Sequence, residues 1–133
     1  MANKTILIVD DSLTVRQQVS MILASAGYQV VEAFDGQDGV ERMHASASIS
    51  MVLCDLNMPR MNGLEFLETI KGDAAGPPVP VVILTTDGSS ELISRAKRAG
   101  AKGWIVKPFQ PDLLLSAVRR IAGLPGSEAE RKH

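Results

Sequence analysis

The sequence predicts an α/β domain: a five-stranded parallel sheet, doubly wound, with strand order 2-1-3-4-5. Three observations carry that prediction. Five short apolar runs alternate with five stretches whose apolar residues recur at helical spacing. Most runs hold consecutive apolar residues rather than every second one, which is the pattern of strands covered on both faces. Chemically matched polar residues also follow four of the five runs, at the sheet edge where such folds bind their ligands.

Each element has its own signal. Thr5–Val9 is β-branched and apolar and ends in Asp10-Asp11. Val15, Val19, Ile22, Leu23 and Ala26 make a helical stripe that Gly27 stops. The second strand runs through Gln29 to Ala33. Asp35-Gly36 predicts a turn, and Val40 and Met43 sit on a short helix beyond it. Ile49–Cys54 is the third strand, with Asp55 directly at its end. Leu64, Leu67 and Ile70 mark a third helix that ends near Gly72. The loop GDAAGPPVP leads to a fourth strand, Val81–Leu84, followed by Thr85-Thr86. Leu92, Ala96 and Ala99 mark a helix that Gly100 stops. Trp104–Val106 is the fifth strand, followed by Lys107-Pro108. Leu113, Leu114, Ala117, Val118 and Ile121 form the apolar stripe of the last helix. The expected domain is 1–123, with Leu124 to His133 a flexible tail of turn formers and charges.

The bulk numbers exclude several function classes. The 133 residues suffice for one domain with a proper core. Aromatic residues are only 4% of the chain, so the core must be aliphatic. A formal net charge of −1 gives no global pull toward nucleic acid or an anionic membrane. One cysteine, Cys54, excludes an intrachain disulfide, and strand alternation turns it away from Asp55 into the core. The first apolar run is too short for a signal peptide, and no segment reaches the ~20 apolar residues of a membrane span. A cytoplasmic protein is expected, without membrane insertion. The twelve residues after Ile121 are too few for a helix-turn-helix, and Arg119 and Arg120 suit the dipole of their own helix better than DNA.

Order 2-1-3-4-5 puts the first and third strands side by side at the reversal of the winding. Asp10, Asp11, Asp55, Thr85 and Lys107 then converge on one edge. Each has a plain reading alone: a helix cap, a turn former, a strand residue, a solvated lysine. Their coincidence at four strand ends, and its absence at the second strand, points to a site. Clustered carboxylates require either a proton or a cation among them. A hard divalent ion fits, and Mg²⁺ accepts one or two carboxylates with waters and a phosphoryl oxygen. His44 and His133 are the only histidines, so nothing suggests zinc. A carboxylate nucleophile, Mg²⁺, a lysine and a hydroxyl are the parts of phosphoryl transfer to an aspartate.

The segments ILIVDDS (6–12), VLCDLNMPRMNGLEFL (52–67), VVILTTD (81–87) and AGAKGWIVKPF (99–109) carry a resemblance. The chain resembles a response-regulator receiver domain of the stand-alone, chemotaxis CheY-like type, over Thr5 to Ile121. The resemblance implies a flavodoxin/CheY-like fold and a signalling switch rather than an enzyme acting on a separate substrate. It implies that Asp55 is the phospho-acceptor. Asp11, Asp55 and the backbone carbonyl of Asn57 would hold Mg²⁺, with Asp10 acting through water. Thr85 would be the switch hydroxyl, Lys107 the partner of a phosphoryl oxygen, and Lys107–Pro108 a cis peptide bond. Trp104 stands at the switch aromatic, although a half-buried strand residue would look the same. Asn57, Thr86 and Asp87 occupy tuning positions, and Thr86 is bulkier than the Ala or Gly often found there. The responsive face would lie on the fourth helix, fifth strand and fifth helix, with Ser90, Glu91, Arg95, Arg98, Lys102 and Arg119.

The implied partners are a sensor histidine kinase and a flagellar switch or other motility protein, bound by a monomer. A phosphorelay intermediate, passing its phosphoryl group to a histidine protein, is the alternative within the family. A phosphatase of the haloacid-dehalogenase type needs a second Asp two residues after the nucleophile, and Asn57 stands there. A flavin carrier on the same fold needs a phosphate cradle after the first strand, where Asp10-Asp11 would repel it.

Overall fold

The computed structural model describes residues 4–45, 48–56, 58, 61–72, 79–86 and 89–125. Asn57 and Asp87, both expected at the site, lie outside these, as does 126–133 of the expected tail. Five strands, β1 (Thr5–Val9), β2 (Gln29–Ala33), β3 (Ile49–Cys54), β4 (Val81–Thr85) and β5 (Gly103–Val106), alternate with five helices. The helices are α1 (Leu13–Ser25), α2 (Gly36–Ala45), α3 (Gly63–Gly72), α4 (Ser90–Arg98) and α5 (Pro111–Ala122). All strand pairings are parallel, in the order β2-β1-β3-β4-β5, as the sequence predicts.

Two apolar layers sandwich the sheet. Ile6, Ile8, Met51, Leu53, Val82 and Leu84 face α1 and α5, where Val19, Leu23, Leu114 and Val118 meet them. Leu7, Val9, Val52, Cys54 and Ile83 face the other side, against Phe66 and Leu67 of α3 and Ala96 of α4. Adjacent strand residues thus enter opposite layers, which is why the central strands read as unbroken apolar runs. The two edge strands are only partly covered, with Gln29 and Val106 exposed.

Two local expectations change. Asp35-Gly36 is not a free turn but the entry to α2: Asp38 N–H donates to Asp35 Oδ1 at 2.8 Å, and Phe34 N–H donates back to Asp38 Oδ2 at 3.2 Å. An Asp that caps a helix satisfies orphan donors with the same chemistry that makes it a turn former. Leu113, assigned to the apolar stripe of the last helix, is 58% exposed, because it sits one residue before the buried Leu114 in the first turn of α5. Gly27 and Gly100 do stop their helices, both at positive φ.

The chain continues past α5 at least to Pro125, whose carbonyl accepts from Lys4 N–H at 3.3 Å. Among the described residues no helix is long and apolar enough to cross a membrane.

Candidate functional site

The parallel ladder delivers the acidic residues to one edge. Asp10 N–H donates to Ala33 O at 3.0 Å, and Asp55 N–H donates to Val9 O at 2.8 Å. Those two bonds carry the β1–β2 and β3–β1 pairing one residue beyond the strands, and so set Asp10, Asp11 and Asp55 side by side. One carboxylate oxygen from each lies within 4.8 Å of the other two. Lys107 N–H donates to Thr85 O at 2.8 Å, which brings the end of β5 up to the same edge. The Lys107 ammonium sits 2.8 Å from Asp10 Oδ2 and 3.6 Å from Asp55 Oδ1. The structure therefore brings Asp10, Asp11, Asp55 and Lys107 together. Thr85 is fully buried at the end of β4, beside them in the sheet order.

The four charged residues are not equivalent. Asp10 is buried and committed at every polar atom. Its Oδ1 accepts from Ser12 N–H at 2.9 Å, its Oδ2 from Lys107, and its carbonyl from Arg16 Nη1 at 2.6 Å. Asp55 is also buried, whereas Asp11 is exposed. Three carboxylates against one ammonium leave two negative charges in a largely buried cluster. Oxygen-only donors with that charge fit a hard divalent cation and no soft metal. The site can hold a metal ion.

Cys54 faces away from Asp55, as alternation requires, and packs into the layer beside α3. Its Sγ–H donates to Asp55 O at 3.3 Å. Burial first, then the Asp55 and Asp10 carboxylates, pushes its thiol well above the usual range.

Thr86, next to the buried Thr85, is exposed. It lines a groove of about 780 Å³ together with Lys107, Pro108 and Phe109 and, across from them, Thr14 and Gln18 of α1. The Lys107–Pro108 peptide is cis. In the β4–β5 register Trp104 lies opposite Ile83, and Val106 opposite Thr85. Trp104 thus shares the sheet face of Thr85, one pair further back, and packs on the apolar layer with Leu92 and Ala99. Its indole Nε1 is buried with no hydrogen-bond partner among the described residues.

One network escapes a reading of the sequence. Arg16, in the second turn of α1, donates from Nε to Glu32 Oε1 at 3.2 Å, while Ser20 Oγ donates to Glu32 Oε2 at 3.1 Å. Sequence spacing alone does not single out Arg16, Ser20 or Glu32. The available signal is a charged residue, Glu32, set between Val31 and Ala33 within the second strand.

Comparison with known proteins agrees with this geometry. The family model for the response regulator receiver domain matches residues 6–119. Chemotaxis protein CheY1 of Helicobacter pylori is 34% identical over 119 residues, covering 89% of this chain and 96% of that protein. The CheY homolog of Campylobacter jejuni is 31% identical over 124 residues, covering 92% and 95%. Among solved structures, chemotaxis protein CheY4 of Vibrio cholerae superposes with a TM-score of 0.85 at 38% identity, covering 90% of this chain and 99% of that one. Sheet order, acidic edge and family match coincide over the same stretch of chain, and the protein belongs to the CheY-like response regulator receiver domains.

Proposed function

We propose that the chain is a phosphorylation switch in a two-component pathway that serves chemotaxis or another motility response, working in the cytoplasm. The single observation that carries this reading is Asp55: a buried carboxylate at the end of β3, 3.6 Å from the Lys107 ammonium and grouped with two further carboxylates. A carboxylate in that setting is a nucleophile with a cation already beside it to meet the charge of a transferring phosphoryl group.

In the proposed reaction an Asp55 oxygen forms a bond to the phosphorus of a phosphohistidine on a sensor kinase. The phosphorus–nitrogen bond breaks, and its electron pair leaves on the imidazole. Lys107, freed from full commitment to Asp10, pairs with a phosphoryl oxygen as charge spreads over the transferring group. Asp11, Asp55 and the backbone carbonyl of Asn57 would hold Mg²⁺. Asp10, whose oxygens already accept from Ser12 and Lys107, suits contact through water. When bound, the ion neutralises phosphoryl and carboxylate charge.

The output is binding. Thr85 turns its hydroxyl toward the phosphoryl group, and Trp104 follows into the space on the same sheet face. The orphaned indole N–H supports this role. A buried donor without a partner among the described residues costs about 1–3 kcal/mol, which lowers the cost of leaving that position. Movement of Trp104 alters the surface of α4, β5 and α5, where Arg95, Arg98, Lys102 and Arg119 are exposed, and so changes affinity for a flagellar switch or similar protein.

The test is intact mass after incubation with acetyl phosphate, with and without Mg²⁺. Gain of one phosphoryl group only with Mg²⁺ is expected. No gain, even on rapid quenching, sinks the reading. Onward transfer to a histidine phosphotransfer protein, faster than hydrolysis, would make the chain a relay instead.

Thr86 should set the rate. Its side chain borders the groove beside Lys107. Thr86→Ala is expected to speed uptake from acetyl phosphate, hydrolysis of the acyl phosphate, or both, by about threefold, a barrier change of under ~1 kcal/mol. Stopped-flow fluorescence of Trp104 would follow uptake, and both rates unchanged would remove Thr86 as a gate.

A further inference from the structure

The geometry points to Arg16 as a positioning residue for the metal site, holding the Asp10–Asp11 peptide so that the Asp11 carboxylate stands within reach of the ion. The inference rests on the metal-dependent reading above and adds a residue to it. Arg16 meets the acidic cluster at a backbone carbonyl rather than at a side chain. Its Nη1 donates to the backbone carbonyl of Asp10 at 2.6 Å, a short, charge-assisted bond. That carbonyl belongs to the peptide from which Asp11 hangs. Asp11 is exposed and, among the described residues, its carboxylate has no partner of its own, so its position is set through its backbone.

Arg16 in turn is fixed from the far side. Its Nε is bound by Glu32 on β2, and Glu32 is bound by Ser20 one turn further along α1. The Arg16 side chain is only 14% exposed, against 39% for Glu32. A guanidinium gripped at one edge by a carboxylate presents its other edge with little rotational freedom, which is what arginine's planar fork allows and a lysine does not. The chain Ser20–Glu32–Arg16–Asp10 carbonyl thus connects α1 and the edge strand β2 to the Asp11 carboxylate, which no other described residue holds.

Positioning and plain electrostatics give opposite signs. A positive charge near a cation site weakens the site, so if Arg16 acted only through its charge, its removal would tighten Mg²⁺. If it positions Asp11, its removal weakens Mg²⁺. The experiment is a calorimetric titration of MgCl₂ into wild type, Arg16→Ala, Glu32→Gln and Glu32→Ala, each first shown to be folded by circular dichroism.

Arg16→Ala is expected to weaken Mg²⁺ roughly tenfold or more, the scale for residues that orient metal ligands. Glu32→Gln keeps an oxygen acceptor for Arg16 Nε and is expected to bind as wild type does. Glu32→Ala frees Arg16 and is expected to fall between. Unchanged or tighter binding in Arg16→Ala overturns the proposal. If Arg16→Ala does not fold, Glu32→Ala decides in its place, and wild-type affinity there overturns it equally. Absence of Mg²⁺ binding in wild type is a different result: it removes the metal site itself.

Discussion

Asp55→Asn is expected to abolish phosphoryl uptake and, in metal-free buffer, to make the protein more stable. The two effects share one cause. The substitution keeps size and shape but replaces a carboxylate nucleophile with an amide that does not attack phosphorus. Incubation with acetyl phosphate and Mg²⁺ should then leave the intact mass unchanged. Labelling that persisted would mean that another residue is the acceptor.

The stability gain follows from charge. Asp55 offers an oxygen within 4.8 Å of both Asp10 and Asp11, a repulsion of about 3–4 kcal/mol per pair at an effective dielectric of about 20. Its attraction to Lys107 at 3.6 Å is about 4–5 kcal/mol on the same scale. Repulsion wins, and solvent around the exposed Asp11 reduces the margin to about 1 kcal/mol, or roughly 3–5 °C in Tm. Lys107 keeps its closer partner, Asp10 at 2.8 Å, so no buried cation is stranded. Added Mg²⁺ should reverse the order, because binding stabilises the wild type through the site that the variant has lost. A lower Tm for Asp55→Asn in chelator would show that the Lys107 contact outweighs the repulsion.

The legibility of this site in the sequence has a physical basis. A parallel sheet buried on both faces writes unbroken apolar runs into β1, β3 and β4, so the polar residues that end them stand out sharply. Asp10, Asp55 and Lys107 are therefore visible one residue past their strands, and Thr85 at the last position of β4. Alternation of elements and the handedness of crossovers narrow the strand order to a few topologies, of which 2-1-3-4-5 is a common one. What stayed hidden depends on contacts between residues far apart in the chain. Arg16 and Glu32 are 16 positions apart, and only the docking of α1 over β1 and β2 brings them together. Leu113 looked like core because helical spacing places it near the buried stripe, and only the seating of α5 shows that the stripe begins at Leu114. At Asp35-Gly36 the residue chemistry was read correctly but assigned to a turn, since capping and turning use the same side-chain oxygen.

Gly63 illustrates a third kind of hidden constraint, and its substitution should have the largest effect on folding. A Cβ at this position would collide with the Asp55 carbonyl oxygen and stand 2.9 Å from Leu56 Cα. Both are backbone atoms, so no rotamer change relieves the contact. Gly63 N–H also donates to Leu56 O at 2.9 Å, which pins the start of α3 against the end of β3. Two effects oppose each other in Gly63→Ala. Alanine favours the helix by up to about 1 kcal/mol. Overpacking against a fixed backbone costs about 1–3 kcal/mol and occasionally more. With contacts this short the second wins, and a net loss of about 2 kcal/mol is expected, read as a lower urea midpoint at unchanged slope.

The loss should reach the chemistry as well. The clash pushes on the very peptide that follows the Asp55 side chain, so the folded fraction of Gly63→Ala should take up phosphoryl more slowly than wild type. Gly100→Ala is the control. Gly100 has φ of +108° but open space around it, with Lys71 Cδ the nearest atom at 3.9 Å. It should lose about 1 kcal/mol to backbone strain and leave uptake untouched. Equal uptake rates for the two folded variants would mean that the Asp55 peptide tolerates the displacement and that the close packing of α3 on β3 serves stability alone.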